Sequence, residues 1–340
     1  MNPVPARSLA ARLLRWYDAG HRNLPWRRTR DPYRIWVSEI MLQQTRAEAA
    51  IPFYRRFLER FPSLAALAAA TGEEVLASWS GLGYYSRARN LHRAARLMAG
   101  VFPTGYEAIR ALPGVGDYTA AAVSSIAFGL PYAALDGNVM RVMARVTNDA
   151  GDIGAARTRA RFRELAEQWL DRRRPGAFNQ AMMELGATVC LPRSPRCGDC
   201  PLAAMCQARR AGCQEQLPVK LRKPQPVHID MAVAVIVRRG RLLLWQRAAD
   251  ERRLAGFWEL PSPGQLPELH APQEIGAFHH TITHHRYQVT VYAGSLAAKA
   301  RAARPLRWIP MATLPTLPLS TTARKALRKA AISDQQSAVS

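Results

Sequence analysis

The sequence predicts a multidomain protein, with an all-helical domain over residues 1–213 and an α+β domain over residues 231–333. A chain of 340 residues exceeds the usual size of one domain. Apolar residues recur at helical spacing in the first part, whereas β-branched and alternating stretches appear only in the second. Between them, residues 214–230 combine three prolines with charges, which predicts an extended linker.

Each predicted helix of the first domain follows an apolar stripe, beginning with Leu9, Leu13 and Leu14. The later stripes cover residues 35–61, 64–79, 87–98, 119–128, 139–146, 157–170 and 178–186. Short breaks that contain proline or glycine separate several of them.

In the second domain, residues 231–237 and 241–246 predict two strands of a hairpin around a turn at 238–240. Apolar and polar residues alternate at Tyr287, Val289 and Val291, which predicts another strand. Residues 321–331 predict a closing helix, so this domain is expected to be α+β.

The charge balance favours a polyanionic partner. The chain carries 48 basic and 25 acidic residues, a net charge of +23, which is typical of nucleic-acid binding. Only five of the basic residues are lysines, a bias that a GC-rich bacterial genome would also produce. We therefore expect double-stranded DNA as the partner, with the genomic bias as the alternative reading of the charge.

Neither a membrane span nor a signal peptide is expected. The longest apolar stretch of small residues, 119–130, is interrupted by two serines and falls short of the ~20 residues a span needs. The expected location is the bacterial cytoplasm, on the nucleoid through DNA binding, and the expected state is a monomer.

Four cysteines with C-x6-C-x2-C-x5-C spacing suggest a metal centre; they are Cys190, Cys197, Cys200 and Cys206. Four thiolates suit a 4Fe–4S cluster or a structural zinc ion. Zinc sites usually use two C-x2-C pairs and only one is present, so the spacing favours the cluster. Disulfides remain the third alternative, and Cys213 stands apart from the group.

A glycine hairpin at 112–116 predicts a phosphate-binding turn. Gly114 and Gly116 precede a helix whose first backbone N–H groups can bind a phosphate without side chains. A plain interhelical turn is the alternative. Asp136 follows twenty residues after Gly116, before another predicted helix, where an aspartate commonly serves as an N-cap.

With these features the chain resembles the helix-hairpin-helix DNA glycosylases that hold an iron–sulfur cluster, and among them the adenine glycosylases of MutY type. The likeness rests on the cysteines and on residues 36–45, 81–90, 112–116, 135–142 and 178–186. It implies a base-excision repair enzyme that removes adenine mispaired with 8-oxoguanine or guanine.

The resemblance implies roles for individual residues. Glu39 falls on the general acid and Asp136 on the carboxylate that faces the sugar, with Tyr118 and Asn138 in support. The implied substrate contacts are Arg27 and Gln180 in the adenine pocket, Gln44 and Tyr84 as wedges into the duplex, and Leu82 beside Tyr84.

The residues themselves are consistent with those two acid roles. Glu39 lies in an apolar run, where burial would keep a carboxyl protonated near neutral pH and able to protonate a leaving base. A glutamate on a polar helix face is the alternative. Asp136 at a helix start is expected to stay ionised and to oppose the positive charge that develops on the sugar.

Lysine is missing from residues 1–219, and Tyr118 stands where lyase relatives carry a nucleophilic lysine. This predicts a monofunctional glycosylase that leaves an abasic site. An endonuclease III-like lyase for oxidised pyrimidines and a catalytically silent iron–sulfur DNA-binding protein are the competing hypotheses.

The second domain resembles a Nudix fold through residues 254–261, and the family ends in such a domain. Few glutamates follow Pro261, so pyrophosphatase activity is not expected and the domain is implied to read 8-oxoguanine. The family's Phe-Ser-His falls on Ile282, Thr283 and His284, where Ile282 lacks the aromatic ring. A solvated histidine-rich hairpin is the alternative.

Overall fold

A computed structural model describes residues 5–221, 225–248, 251, 254–282, 284–296 and 306–332. The Cα positions form two compact units. The first contains residues 1–58, 63–68 and 93–223, and the second contains residues 59–62, 69–92 and 224–340. Residues 69–92, which the sequence analysis assigned to the first domain, therefore pack with the C-terminal part of the chain.

The helices follow the apolar stripes closely. Within the described ranges they are α1 (Ala6–Gly20), α2 (Pro32–Leu42), α3 (Ala47–Arg60), α4 (Leu64–Ala69), α5 (Gly72–Trp79), α6 (Ser86–Leu97), α7 (Tyr106–Arg110), α8 (Asp117–Phe128), α9 (Gly137–Thr147), α10 (Ala156–Trp169), α11 (Pro175–Thr188), α12 (Gln207–Arg210) and α13 (Thr321–Lys329). None of the described helices is long and apolar enough to cross a membrane.

Two of the predicted helices are each divided in two. The stripe 35–61 breaks between α2 and α3, where Gln43 leaves the helical conformation and Gln44 adopts a φ of 58°. The stripe 64–79 breaks between α4 and α5 because Thr71 and Glu74 form a capping box that starts a new helix. Both breaks fall in short polar stretches, residues 43–46 and 71–74, which the sequence analysis included in continuous helices.

The core of the first unit surrounds α11, which packs against α1, α8 and α9. Leu13, Met143, Phe162 and Leu185, from four helices, are almost completely buried in one cluster. This packing fixes the start of α9 and the inner face of α11, both of which carry predicted site residues.

Seven strands lie in the described part of the second unit: β1 (Val227–Val235), β2 (Val237–Arg238), β3 (Arg241–Gln246), β4 (Trp258–Glu259), β5 (Leu269–Ile282), β6 (His285–Leu296) and β7 (Leu306–Pro310). One sheet has the order β1-β6-β5, with β1 parallel to β6 and β5 antiparallel to it. In the other, β3 pairs with β2, β4 and β7. Helix α13 buries Ala323, Ala326 and Leu327 in the cluster that includes Val289 and Val291.

The predicted hairpin of 231–237 with 241–246 is mostly wrong. Its first strand begins at Val227, inside the predicted linker, and pairs with β6. Only Val237 and Arg238 pair with β3, around a turn in which Arg239 and Gly240 both have positive φ. β-Branched composition predicts a strand but not its partner, because pairing depends on contacts distant in sequence.

Candidate active site and cysteine loop

A cleft of about 1190 Å³ opens within the first unit and brings seven of the predicted catalytic and substrate-binding residues together. Its lining includes Arg27, Glu39, Gln44, Tyr118, Asp136, Asn138 and Gln180. These residues come from separate helices and loops, so the fold assembles the site. The volume exceeds that of a typical small-molecule pocket and leaves room for more than one base.

Glu39 lies on α2 with only 4% of its surface exposed. The Tyr118 hydroxyl, on α8, donates a hydrogen bond of 2.8 Å to Glu39 Oε2 and lies 3.0 Å from Met183 Sδ. Burial raises the pKa of Glu39 to about 7; the Tyr118 hydrogen bond opposes the rise and the Asp136 charge adds to it. Glu39 therefore faces the cleft instead of a polar helix surface, and it can carry a proton near neutral pH.

Asp136 is the N-cap of α9. Its carboxylate accepts hydrogen bonds from the Val139 backbone N–H at 2.7 Å and from Asn138 Nδ2 at 3.0 Å. Burial raises the pKa of Asp136, while these hydrogen bonds and Arg141 lower it. The expectation from the helix start alone omitted burial, which is the largest influence here. Asp136 both caps α9 and lines the cleft, so its role as an N-cap does not exclude a catalytic role.

A buried arginine links this carboxylate to the cysteine loop. Arg141 donates hydrogen bonds to Asn138 Oδ1 (2.9 Å), to the Gly186 carbonyl (2.6 Å) and to the Cys190 carbonyl (2.8 Å). A Cβ at Gly186 would lie 2.6 Å from the Asn138 Cβ, so only glycine permits this approach of α9 to α11. Asn138 thus orients Asp136 and is itself held by Arg141.

Glu184 on α11 organises the other wall of the cleft. Arg27 donates to Glu184 Oε2 at 2.8 Å, and Arg22 donates to both carboxylate oxygens. Burial alone would raise the pKa of Glu184, but hydrogen bonds from Arg22 and Arg27 lower it to about 2. Sequence reasoning missed Glu184 and Arg22, although an acid in an apolar helical stripe is the same signal that identified Glu39.

Gln180 lies on the same helix, where its Oε1 accepts a hydrogen bond of 3.3 Å from the Tyr17 hydroxyl. The Arg27 guanidinium lies 5.4 Å from the centre of the Tyr17 ring. Arg27 and Gln180 therefore line the cleft, and Tyr17, which is buried in the core, contacts both of them. A guanidinium and an amide in these positions can form hydrogen bonds to the edge of a planar base.

The glycine hairpin has the predicted form. Gly114 has a φ of 78°, and Gly116 is the exposed N-cap of α8. Asp117 in the first turn of α8 pairs with Arg110 and with Arg163, the latter at 3.2 Å. The hairpin therefore presents the backbone N–H groups at the start of α8 to an anion. Arg110 and Arg163 partly neutralise the charge of Asp117 beside it.

The predicted wedge residues are divided between the two units. Gln44 lines the cleft in the first unit. Leu82 and Tyr84 lie in the second unit, where Leu82 is buried and Tyr84 is 40% exposed with a φ of 49°.

The cysteine loop places its four thiols, Cys190, Cys197, Cys200 and Cys206, around one small cavity. No three His, Cys, Asp or Glu side chains of the described chain lie close enough to hold a single metal ion. Four thiols lining one space are the donor set of a larger iron–sulfur group. Burial raises the pKa of Cys200 to about 12, which a bound metal would reverse.

Arg145 contacts one of these sulfurs and is almost completely buried. Its guanidinium donates to Cys190 Sγ (3.3 Å) and to the Leu191 (2.6 Å) and Pro192 (3.1 Å) carbonyls. It thereby fixes the start of the loop and places positive charge where thiolates would carry negative charge. The residues present therefore fit an anionic cluster.

Of the predicted lesion-reading residues, Thr283 lies outside the described residues. His284 is half-buried between β5 and β6, its ring 4.1 Å from that of His285, and its carbonyl accepts a hydrogen bond from Val227. In the interval from Pro261 to β5, the structure shows one short 3-10 turn (Pro263–Gln265).

Comparison with known families divides the chain in three. Residues 37–168 match the HhH-GPD superfamily of base excision DNA repair proteins. Residues 190–206 match the iron–sulfur binding domain of endonuclease III, and residues 232–329 match the NUDIX domain. The middle match covers all four clustered cysteines, which identifies the loop as an iron–sulfur binding domain.

Individual proteins are similar over longer stretches. An adenine DNA glycosylase of Homo sapiens is 34% identical over 93% of this chain and 72% of its own length. The structure of a thermostable thymine-DNA glycosylase matches with a TM-score of 0.54 and 30% identity, over 61% of this chain and 97% of that one. An endonuclease III–DNA complex matches in fold, with a TM-score of 0.50 and 22% identity over 62% of this chain and 99% of that one.

Proposed function

Because the chain belongs to the adenine DNA glycosylases of MutY type, we propose that it hydrolyses the N-glycosidic bond of adenine paired with 8-oxoguanine or guanine and leaves the strand uncut. The observation that carries this proposal is the pairing, in one cleft, of a buried Glu39 whose pKa is about 7 with a hydrogen-bonded Asp136. Two carboxyls in different environments supply an acid and an anion.

Glu39 acts as the general acid. Adenine leaves poorly as an anion, so a proton on a ring nitrogen is needed while the bond to the sugar breaks. A carboxyl with a pKa of about 7 is protonated in a large fraction of molecules at neutral pH. The Tyr118 hydroxyl donates a hydrogen bond of 2.8 Å to Oε2 of Glu39. The acidic proton is therefore carried by the other carboxyl oxygen of Glu39, which directs it away from the tyrosine and into the cleft.

Asp136 stabilises the sugar. As the bond breaks, the sugar develops oxocarbenium character, and an ionised carboxylate nearby lowers the energy of that state. The Val139 N–H and Asn138 hold the carboxylate in place, and Arg141 holds Asn138. After departure of the base, water adds to the sugar carbon and gives up one proton, which restores the acid form of Glu39 and completes the hydrolysis.

Strand cleavage by a lyase would need an amine nucleophile. Tyr118 carries a phenol at this position, and residues 1–219 hold no lysine. The base reaches Glu39 only after it leaves the helical stack, which costs a few kcal/mol that Gln44 and Tyr84 help to offset by filling the gap. Arg27 and Gln180 bind the extruded base, and the Gly114–Gly116 hairpin binds a backbone phosphate.

The cysteine loop holds a 4Fe–4S cluster in this proposal, with Cys190, Cys197, Cys200 and Cys206 as ligands. When bound, the cluster supplies metal–thiolate bonds that cross-link the loop. Arg145 then balances part of its negative charge, and Arg141 connects the loop to Asn138.

The second unit reads the opposite base through Thr283 and His284. A threonine hydroxyl and an imidazole offer a donor and an acceptor to a base edge, although Ile282 cannot stack as an aromatic residue would. Full-length protein as a monomer on a mispaired duplex is the expected complex.

The test is the release of free adenine from duplexes that contain adenine opposite 8-oxoguanine, guanine or thymine, measured by chromatography under single-turnover conditions. Wild type should release adenine fastest opposite 8-oxoguanine and slowest opposite thymine, and Glu39→Gln should release almost none. Equal release from all three duplexes would contradict the proposed specificity, and release unaffected by Glu39→Gln would contradict the mechanism.

A further inference from the structure

The loop at residues 81–84 has a strained backbone and an exposed aromatic side chain. Gly81 and Gly83 have φ values of 97° and 77°, and Tyr84 follows with a φ of 49°. Bulky residues rarely occupy this left-handed region and persist there only where surrounding contacts hold them. Tyr84 is nevertheless 40% exposed, so contacts elsewhere must fix the loop.

Part of the support comes from the flanking helices. Trp79 Nε1 and Arg87 each donate a hydrogen bond to the Gly83 carbonyl, at 3.2 and 3.1 Å. The Arg87 guanidinium lies 5.4 Å from the Trp79 ring and 5.5 Å from the Tyr84 ring. These contacts hold the second half of the loop.

The first half of the loop is held by the C-terminal part of the chain, within the same compact unit. The Ser80 hydroxyl donates to the Leu319 carbonyl and accepts from Arg324 Nε, both at 3.1 Å. Both partners flank the start of α13. The residue that precedes the loop is therefore tied to the start of that helix.

Tyr85, the residue that follows the loop, makes a second connection. Its ring packs on Phe257 with the centres 4.1 Å apart. Its hydroxyl accepts from the Gly81 backbone N–H at 3.4 Å and shares a hydrogen bond of 3.2 Å with Thr321 Oγ1, in the first turn of α13. One phenol thus joins the strained backbone to α13.

We propose that the start of α13 positions the 81–84 loop, and that Ser80, Tyr85, Thr321 and Arg324 are positioning residues for Tyr84. The inference rests on the proposed function, in which Tyr84 fills the space left by the extruded adenine. It assigns the C-terminal domain a second task besides contact with the opposite base, which is to hold a rigid wedge for strand opening.

Rigidity of the 81–84 loop is important because a side chain that is already fixed loses little conformational entropy when it fills the gap left by the extruded base. Loss of one hydroxyl should let the loop relax toward less strained conformations. The intact stack then becomes relatively more favourable, while the acid–base groups in the first unit stay unchanged. The predicted defect therefore lies in base extrusion and not in bond cleavage.

The experiment compares full-length Tyr85→Phe and Thr321→Val with two matched controls. Thr321→Ser keeps the hydroxyl, and Thr322→Val makes the same chemical change at the next position of α13. Each is placed in the Glu39→Gln background, with 2-aminopurine as the adenine analogue opposite guanine, and its fluorescence reports unstacking. Adenine release is measured separately with Glu39 intact, and thermal melting confirms folding.

Tyr85→Phe and Thr321→Val should each reduce the extent of unstacking and the adenine release rate about three- to tenfold, the scale of one lost hydrogen bond. Thr321→Ser and Thr322→Val should stay within about twofold of their parent. Unstacking unchanged in both test variants, or reduced equally by Thr322→Val, would overturn the inference. A wild type that releases no adenine would instead refute the proposed function, independently of the comparison between variants.

Discussion

The pKa of Glu39 predicts how the rate of adenine release depends on pH. If the protonated carboxyl of Glu39 is the general acid, the single-turnover rate of adenine release should be nearly constant below pH 7, as long as Asp136 remains ionised. Above about pH 7 it should fall roughly tenfold per pH unit, since the acid form is lost in that proportion. Release by Glu39→Gln should be lower by about two or more orders of magnitude and should not show this titration.

The neighbours of Glu39 fix the direction in which the midpoint should move. The Tyr118 hydrogen bond lowers the pKa of Glu39, so Tyr118→Phe should shift the midpoint to higher pH. The Asp136 charge raises that pKa, so Asp136→Asn should shift the residual activity to lower pH. Opposite shifts in two variants distinguish this assignment from a general loss of structure.

The same pKa has a consequence for stability. A shift from 4.5 to about 7 corresponds to about 3 kcal/mol that disfavours ionised Glu39 in the folded protein. This contribution is fully favourable below the unfolded pKa and is lost as the pH rises through about 7. Between pH 4.5 and pH 9, Glu39→Gln should therefore gain about 3 kcal/mol in unfolding free energy relative to wild type.

Denaturant titrations at several pH values measure that difference, and rapid-quench assays on the mispaired duplex measure the rates. A rate that is flat from pH 6 to pH 9, together with a stability difference that does not change with pH, would refute the reasoning. Glu39 would then be ionised throughout this pH range and could not be the general acid.

Asp136→Asn keeps the helix cap but removes the charge, so release should drop by about two or more orders of magnitude while duplex affinity, measured by titration, stays within a few-fold. Glu184→Gln removes the buried carboxylate that Arg27 and Arg22 share and leaves Arg22 only its exposed partner Glu48, so the free energy of unfolding should fall by about 3–5 kcal/mol, and an unchanged denaturation midpoint would contradict the role of this buried carboxylate. Cys197→Ser should lower the iron content per chain and the absorbance near 400 nm, and zinc without iron in the wild type would refute the cluster. Thr283→Ala and His284→Ala should each reduce the preference for 8-oxoguanine over guanine about 5- to 150-fold at most, and equal preference in both variants and wild type would mean that the lesion is read elsewhere.

Recognition of the lesion is better tested with point variants than with a shortened chain, because shortening removes more than the residues proposed to contact 8-oxoguanine. The C-terminal part also contacts Ser80 and Tyr85, which flank the predicted wedge. A protein cut near Lys220 would lose both functions together, and its defect could not be assigned to the opposite base alone.

Much of the site follows from short-range sequence signals. A glutamate in an apolar stripe predicted a buried carboxyl, and Glu39 is buried in the cleft. The Asp136 position predicted an N-cap, which the structure shows. The cysteine spacing predicted an iron–sulfur loop, and the match to the endonuclease III iron–sulfur binding domain confirms that this loop is an iron–sulfur binding domain.

What the sequence did not reveal depends on contacts between distant residues. Glu184 pairs with Arg27 across 157 positions, and no local pattern encodes that pairing. The rise in the pKa of Asp136 comes from burial by elements that are far apart in the chain. Strand β1 was predicted as part of a hairpin, yet it pairs with β6, because composition predicts a strand without predicting its neighbour.

The central claim is hydrolysis of the adenine glycosidic bond without strand cleavage. The most direct measurement is a gel assay of an end-labelled duplex with adenine opposite 8-oxoguanine, incubated with the full-length protein and analysed with and without hot alkali. We predict an intact labelled strand without alkali and a single cut at the adenine after alkali, which breaks the strand at the abasic site. A strand that stays intact under both conditions would mean that the protein only binds DNA, and a cut without alkali would mean that it is a lyase.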